Sequence, residues 1–418
     1  MSILLPLRGL SREPLRHVAA VVCLGWLSAS PLLAQAPASN GAAAQATAAE
    51  PAAPQAVSPD QLKNAIDSLG NLDYDTRTSA SRLVRRTPGA QAVPALLQAV
   101  AEHADGYVRY RALVLLTGFN DPRTRDAMRE SMSSSNDRLR TVAYSYFEHN
   151  PDRAMVSDLL AALDKEQAEF VRPALMRALA AHGDDGRVQQ ALVRDIGRGE
   201  DFFRGAVIEA LGDYKARYAI DALTAVAQQD GPLQDDAAIA LGRIGEKRSL
   251  EVLAGLQRSA PKVRQPAVAA GICLLGTNCE SHEGFLVETL KFADRNIGFQ
   301  ELLRGAATGL AALAVGGRAS AASALLDIGV PSRDPTRAPI ALALAAAALR
   351  NTGVLLPLLE RHPNQKGALT LLAEGFDMLE EDLDKERFFA FVRRTYWGAA
   401  EGSSTKVLMQ SLIRNLDF

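Results

Sequence analysis

Aromatic residues and cysteines are scarce in this chain of 418 residues: aromatics make up 6% of it, and it has three cysteines. Any core must therefore be built mainly from aliphatic side chains and alanine. The formal charge is only −2, whereas a protein that binds nucleic acid needs many cations to neutralise phosphates, so no nucleic-acid partner is expected. With 48% hydrophobic and 22% charged residues, the composition is that of a globular protein, which excludes wholly disordered, collagenous and multi-span membrane proteins.

The first 34 residues have the organisation of a secretory signal peptide. Three arginines, at positions 8, 12 and 16, precede an apolar run over residues 18–27, and small residues lead up to Ala34. This order is typical of signal peptides, and cleavage is expected after Ala34. Removing residues 1–34, which contain three arginines and one glutamate, changes the formal charge from −2 to −4.

The leader predicts a periplasmic protein. No membrane span is expected in the mature chain, because the apolar run is shorter than the roughly 20 residues of a spanning helix. An uncleaved leader that anchors the chain in the inner membrane is the alternative. Residues 35–58 consist almost entirely of alanine, proline, glutamine, serine and threonine. Such a segment buries too little apolar surface to fold, so we predict a disordered linker there.

From residue 60 onward the sequence repeats with a period near 31 residues. Each unit has a polar turn, a first amphipathic helix (helix A) with an arginine near its start, a glycine or aspartate turn, and a second amphipathic helix (helix B). The anchor positions are Arg77, Arg109, Arg140, Arg172, Arg204, Gln234, Arg264, Arg304 and Arg337, at spacings of 32, 31, 32, 32, 30, 30, 40 and 33 residues. A period sustained over this length indicates a solenoid.

The unit that begins at Asp201 shows the pattern of one helix A. Phe203, Val207 and Leu211 fall on one helical stripe, which predicts a buried face. Asp201 is placed to cap the N-terminus of the helix, and Gly212 can supply the turn at its end. No alternation typical of strands occurs with hairpin turns, so the predicted fold class is all-α.

Several anchor arginines follow an aspartate. Asp105 precedes Arg109, and Asp201 precedes Arg204. We expect each aspartate to cap a helix while the arginine bonds to neighbouring turns. A row of anion-binding arginines is the alternative, although each arginine already has an acidic neighbour.

The clearest repeat motifs are Val108–Leu113, Val171–Leu175, Ala210–Asp213, Ala240–Gly242 and Val263–Ala267. They resemble HEAT-like repeats, in the short form named after phycobilisome lyases. The resemblance implies an α-solenoid of stacked antiparallel helix pairs, an armadillo-type superhelix, over residues 59–363. Two departures make the stacking uncertain: Gln234 replaces an arginine, and the step of 40 residues before Arg304 implies an insertion around residues 285–299.

The resemblance also implies that the B helices line a concave face that binds proteins. The expected function is that of a non-enzymatic scaffold with a protein partner in the cell envelope. The side chains predicted to line the groove are Arg125, Arg129, Gln190, Arg194, Thr224 and Gln228. No cofactor or metal is expected.

An enzyme built on HEAT-like repeats is the alternative function. The family takes its name from lyases that attach bilins, and related repeats occur in a hydroxylase that uses paired His-Glu metal ligands. Here His282-Glu283 stands alone, and no successive repeat supplies a second pair.

The C-terminal region, residues 364–418, differs in composition from the repeats. It is dense in acidic residues from Glu374 to Asp384, and aromatic residues follow from Phe388 to Trp397. We predict a helical cap with its acidic face outward and its aromatics closing the last apolar surface. A docking patch built on those aromatics is the alternative.

Cys273 and Cys279 flank the predicted turn between two helices of one unit. In an oxidising compartment they are expected to form a disulfide, and closing this short loop would contribute about 2.4 kcal/mol to stability. Free thiols, or a metal bound together with His282, are the alternatives.

The disulfide is tested by the intact mass of the protein purified without reductant. If Cys273 and Cys279 are bridged, the mass is lower by two hydrogens than that of the reduced chain, and reductant removes the difference. An unreduced mass equal to the reduced mass would contradict the bridge.

Overall fold

A computed structural model describes residues 54–379 and 382–418; the predicted leader, residues 1–34, and most of the predicted linker lie outside this part. The described residues form α-helices joined by turns, with no β-strand among them. The first helices are α1 (Pro59–Ser68), α2 (Tyr74–Arg86), α3 (Gly89–Glu102), α4 (Gly106–Leu116), α5 (Arg123–Ser131), α6 (Asp137–His149), α7 (Val156–Lys165), α8 (Arg172–Ala180), α9 (Gly186–Asp195), α10 (Asp201–Asp213) and α11 (Ile220–Ala227). The others are α12 (Leu233–Ile244), α13 (Ser249–Ser259), α14 (Gln265–Leu274), α15 (Cys279–Arg295), α16 (Gln300–Val315), α17 (Ala319–Gly329), α18 (Arg337–Arg350), α19 (Thr352–Arg361), α20 (Gln365–Met378), α21 (Asp382–Gly398) and α22 (Ser404–Asn415). The predicted all-α solenoid is confirmed.

The even-numbered helices from α2 to α18 are the predicted A helices, and the odd-numbered helices between them are the B helices. Successive A helices pack closely because small residues face each other. A Cβ atom added to Gly212 of α10 would lie 2.8 Å from the Cα of Ala240 in α12. One added to Gly242 of α12 would lie 2.5 Å from the carbonyl oxygen of Gly271 in α14. These glycines therefore allow close approach of two backbones.

The turn expected at Gly212 and Asp213 lies slightly later in the chain, after Asp213. Helix α10 continues to Asp213, and the left-handed backbone conformation falls on Lys215, whose φ is 51°. The neighbouring A helix occupies the space that a side chain at Gly212 would need, so helix packing and not the turn requires glycine there.

The stack bends toward its A helices, because these pack much more tightly on one another than the B helices do. Arg350 of α18 reaches back to α10, where its guanidinium lies 3.1 Å from Asp213 and 3.4 Å from Glu209. Contacts between units so far apart along the chain place the A helices on the inner face. The prediction that the B helices line the concave face is therefore wrong.

The six side chains predicted to line the groove lie on B helices or at their ends, and hence on the outer layer. Arg125 and Arg129 belong to α5, and Arg194 to α9. Each of these three side chains is more than half exposed. Gln190 and Gln228 are exposed and Thr224 is half-buried.

Some of the anchor arginines bond to the end of the preceding helix, as predicted for neighbouring turns. The Nε atom of Arg109 donates to the carbonyl of Val100 at 2.7 Å, and that of Arg204 donates to Ile196 at 2.9 Å. The last carbonyls of a helix have no partner within it. Arg109 and Arg204 therefore each satisfy an orphan acceptor and fix helix A against the preceding helix B.

Two glutamines make the same kind of hydrogen bond: Gln234, which stands at an anchor position, and Gln265, which follows the anchor Arg264. Gln234 donates to the carbonyl of Ala227 at 2.9 Å, and Gln265 donates to that of Ala260 at 2.8 Å. The stacking around Gln234 is thus unbroken. Arg304 differs, because its side chain is exposed and has no hydrogen bond or ion pair among the described residues.

The aspartates play two roles. Asp105 caps α4 by accepting from the backbone N–H of Tyr107 at 2.7 Å. Asp201, in contrast, is the first residue of α10 and accepts from Arg204 at 2.9 Å. The prediction that Asp201 caps this helix is wrong, since Glu200 occupies the cap position and its side chain makes no capping bond.

The insertion in the repeat takes the form of a longer helix pair. Helix α15 has 17 residues and α16 has 16. In the turn before α15, Cys273 and Cys279 are joined as a disulfide, with their Cα atoms 4.1 Å apart. The pairing stays a prediction for the protein in solution.

The repeat stack extends beyond the ends that the sequence suggested. Helix α20 packs on α18 as a further A helix, and Gln365 donates to the carbonyl of Leu359 at 3.1 Å. The end of the predicted linker is also ordered, since the N–H of Val57 donates to Gln91 at 3.2 Å. None of the described helices combines the length and apolar character needed to cross a membrane.

Leu211→Ala tests the buried stripe of α10. Leu211 is fully buried, so its truncation is expected to lower the free energy of unfolding by about 2–5 kcal/mol. Urea unfolding followed by circular dichroism measures the loss. The matched control is Leu72→Ala at an almost fully exposed leucine, and equal stability of the two variants would contradict the packing.

Candidate functional site

The C-terminal hairpin, α21 and α22, packs back against the first repeats. Glu386 of α21 accepts from Nε of Arg85 in α2 at 2.8 Å, and the side chains of both residues are almost fully buried. Arg393 of α21 donates to the backbone carbonyl of Arg85 at 3.2 Å. Arg82 of α2 pairs with Asp417 at 2.9 Å. We call this contact between α21–α22 and the elements α2, α4 and residues 117–119 the seam.

The acidic residues of α21 belong to the seam and its surroundings, so the predicted outward acidic face is corrected for α21; Asp377 of α20 is exposed, and Glu380 and Glu381 lie outside the described residues. Asp382 accepts from the hydroxyl of Tyr110, and the guanidinium of Arg111 lies 3.0 Å from its carboxylate. Burial by itself raises the pKa of Asp382, but the charges of Arg111 and Lys385 outweigh it and lower that pKa. The carboxylates face inward because cations of the first repeats are there to receive them.

Asp384 extends this docking to α6. Its Oδ1 atom lies 2.7 Å from Nε2 of His149.

Burial raises the pKa of Tyr110 well above its usual range, and the neighbouring charge of Asp382 adds to that increase. At neutral pH the tyrosine is therefore a neutral donor to a charged acceptor, which strengthens the hydrogen bond.

Aromatic side chains fill the apolar part of the seam. Phe388 is buried, and Phe389 stacks on Phe418 with their ring centroids 4.1 Å apart. The guanidinium of Arg85 lies over the ring of Phe389, 5.2 Å from its centroid. The hairpin thus closes the apolar end of the stack against the first repeats.

A cavity of about 300 Å³ opens at the seam. Its walls are Pro54, Arg85, Arg86, Thr87, Pro88, Gly89, Gly118, Phe119 and Asn120 from the first repeats and Ala390, Arg393, Arg394, Trp397, Ile413 and Phe418 from the last helices. A Cβ atom added to Gly118 would lie 2.7 Å from Oε1 of Glu386. Glycine at 118 therefore lets the turn approach the buried ion pair.

Sequence reasoning missed this cavity, although a signal for it exists. The tetrapeptide Val-Arg-Arg-Thr occurs at residues 84–87 and again at residues 392–395. The structure brings the two copies to opposite sides of the cavity. Because the spacing of the two copies does not follow the repeat period, the duplicated motif is the sequence feature that could have pointed to these cavity residues.

A second charged cluster holds the inner face together. Asp213 of α10 accepts from Arg177 at 3.0 Å and from Arg243 at 2.6 Å. Arg177 also donates to Glu148 at 2.8 Å. Burial by itself lowers the pKa of Arg177, but the charges of Glu148 and the other carboxylates outweigh it and raise that pKa. These charges satisfy one another, so the cluster links α6, α8, α10 and α12.

The carboxyl of Asp235 on α12 is mostly buried, and this burial changes its pKa. Its Oδ2 atom accepts from Arg264 at 2.9 Å. Its Oδ1 atom is buried and has no hydrogen-bond partner among the described residues. Burial raises the pKa of Asp235 to about 6, although Arg264 opposes the shift. The carboxyl of Asp235 therefore titrates closer to neutral pH than an ordinary aspartate does.

A larger cavity, of about 600 Å³, lies where the loops after α8 and α10 meet. His182 and Tyr218 line it, and Nε2 of His182 and the hydroxyl of Tyr218 are buried without a hydrogen-bond partner in the described part of the chain. Burial lowers the pKa of His182. Across residues 54–379 and 382–418, no three His, Cys, Asp or Glu side chains are grouped so as to hold a metal ion.

Comparison with known proteins identifies the repeat. Residues 93–180 match the HEAT repeats family, and a search of curated proteins gave no match. The predicted HEAT-like resemblance is confirmed for residues 93–180.

Similar solved structures share the helical repeat at low identity. YibA of E. coli is 16% identical, with a TM-score of 0.40 over 52% of this chain and 82% of that chain. Human deoxyhypusine hydroxylase in complex with glycerol is 18% identical, with a TM-score of 0.28 over 53% and 86%. Importin beta is 14% identical, with a TM-score of 0.35 over 86% and 55%. Likeness at this level concerns the fold alone.

Glu386→Gln tests the seam. The substitution removes a buried negative charge and leaves Arg85 and Arg393 without their counter-ion, so the seam is expected to weaken by about 3–5 kcal/mol. Hydrogen exchange should accelerate in α21 and α4 while α13 is unchanged. Glu288→Gln, at an exposed pair with Lys291, is the control and should alter nothing. Unchanged protection of α21 in the first variant would contradict the seam.

Proposed function

We propose that this HEAT-like repeat protein is a non-enzymatic scaffold that binds another protein through its outer surface. The observation that carries the proposal is the group of exposed apolar side chains on the insertion at α15 and α16. Phe292, Ile297 and Phe299 are 47%, 64% and 45% exposed. Exposed apolar groups of this kind are typical of protein interaction sites.

The geometry of this group suits it as an anchor for a partner. The rings of Phe292 and Phe299 meet edge to face, with centroids 4.8 Å apart. Ile297 lies in the short link between the two helices, and Phe285 is also 43% exposed on α15. Aromatic anchors dominate the energetics of many interfaces. Since these side chains are far from buried, the core of the stack does not explain them.

The charged residues of α5 and α9, in earlier repeats of the outer layer, form a second, polar surface. Arg125 pairs with Asp152, and Arg129 lies 3.4 Å from Asp158 of the following unit. Exposed ion pairs of this kind contribute little to stability, so a partner can exchange them for its own charges at small cost. We therefore retain Arg125, Arg129 and Arg194 as partner-contacting residues, now on the convex face.

The same proposal includes export to the periplasm. It is supported by the signal-like order of charged, apolar and small residues in the leader, residues 1–34. The partner is then a protein of the cell envelope. The alternative of a lyase or metal-dependent enzyme has no particular contact of the described residues in its favour.

Site-specific photo-cross-linking in the cells of origin tests the binding surface. A photoreactive phenylalanine analogue at position 299 should give one discrete adduct with a second protein. The matched control is the analogue at the exposed Arg258 on α13, also a B helix, which should give none. Phe292→Ala with Ile297→Ser should abolish the adduct without changing the melting temperature.

Two outcomes would contradict the proposal. Equal adducts from positions 299 and 258 would show that contact at the insertion is unspecific. Adducts at position 299 that survive the substitutions at 292 and 297 would show that the apolar group is not the anchor. Reversing Arg125, Arg129 and Arg194 to glutamate in the same assay tests separately whether the polar surface of α5 and α9 contacts the partner.

A further inference from the structure

The seam carries an excess of positive charge. Its two acidic side chains at the cavity end are Glu386 and Asp417, and they face five arginines: Arg82, Arg85, Arg86, Arg393 and Arg394. Glu386 serves Arg85 and Arg393, and Asp417 serves Arg82. Counted over side chains, this local excess of three positive charges stands out in a chain whose formal charge is −2.

Arg86 and Arg394 are the two cations left over. Neither side chain has a hydrogen bond or an ion pair with any residue in the described parts of the chain, and both line the cavity of the seam. Arg86 is half-buried, whereas Arg394 is exposed. Burial lowers the pKa of Arg86 and the like charge of Arg82 adds to this, while the charge of Asp417 opposes the shift. A negative charge in the cavity would relieve the repulsion.

Apart from Thr87 and Asn120, the rest of the cavity wall is apolar and aromatic. Phe119 and Phe418 line it, and Trp397 lines it with 43% of its surface exposed. Guanidinium groups bind carboxylate and phosphate through paired hydrogen bonds, and aromatic side chains offer faces and edges to a second ring. The wall therefore combines a site for an anionic group with a surface for an apolar group.

The size of the cavity limits the ligand. Its volume of about 300 Å³ is at the lower end of the roughly 300–1,000 Å³ range of small-molecule sites. A folded partner or a long peptide does not fit into it. A single small molecule with one acidic group and one ring or short aliphatic body does.

We propose that the seam cavity binds a small organic anion, a carboxylate or phosphate carried on an aromatic or aliphatic group. Arg86 and Arg394 bind the acidic group, and Phe119 and Trp397 contact the apolar body. The first and last helices each supply one of these arginines and one of these rings, so the bound anion joins the two sides of the seam. This site is separate from the outer surface proposed to bind a protein.

Isothermal titration calorimetry of the full chain tests the site with phenyl phosphate as the probe. Phenyl phosphate should bind at least about fivefold more tightly than inorganic phosphate, and benzyl alcohol should not bind. The double variant Arg86→Gln/Arg394→Gln should weaken binding by about tenfold or more, because each lost charged hydrogen bond is worth well over a kcal/mol. The control Arg258→Gln removes an exposed arginine that also lacks a partner among the described residues, and should bind as the unmodified chain does.

A second readout separates a site from general attraction of anions. Hydrogen exchange of α21 and of residues 117–119 should slow when phenyl phosphate is bound, while α13 stays unchanged. Equal affinity of the double variant and the unmodified chain would overturn the proposal. So would an equal loss in Arg258→Gln, or tighter binding of inorganic phosphate than of phenyl phosphate.

Discussion

The close packing of the A helices is the constraint on which the rest of the structure depends. Backbones can approach to the distance seen between Gly242 and Gly271 only where side chains are absent or small. Successive B helices make fewer contacts with one another and stay farther apart. A stack with one tight layer and one loose layer must curve toward the tight one. That curvature brings Arg350 to Asp213 and the last hairpin to the first repeats.

The arginines of the chain act according to the layer they occupy. Anchor residues such as Arg109 and Arg204 satisfy the open carbonyls of the preceding helix. Arg177 and Arg243 share the carboxylate of Asp213 on the inner face, where partial burial makes each ion pair contribute more to stability. On the outer face Arg125 pairs in contact with water, where a pair contributes little. Pairing of charges therefore stabilises the inside and leaves the outside free for other contacts.

The repeat and its fold class could be predicted from the sequence, because the period of the anchor positions and the helical stripes are local properties. The identity of the inner layer could not, since curvature depends on how tightly each layer packs and not on the period. The acidic residues of α21 show a second limit. Their charge is visible in the sequence, but their partners Arg85 and Arg111 lie 301 and 271 residues away. The cavity was missed for the same reason, although the duplicated Val-Arg-Arg-Thr hinted at it.

The seam affects the order in which the parts of the chain fold. A solenoid folds through contacts between neighbouring units, so its early repeats can form as soon as they are synthesised. The partner of Arg85, in contrast, is joined to the growing chain 301 residues later. Until then the surface of α2 and α4 that receives α21 is open to solvent, and Arg85 is without its counter-ion. A nascent chain therefore passes through an interval in which its N-terminal repeats are folded but unsealed, and that interval is when a chaperone would have most to protect.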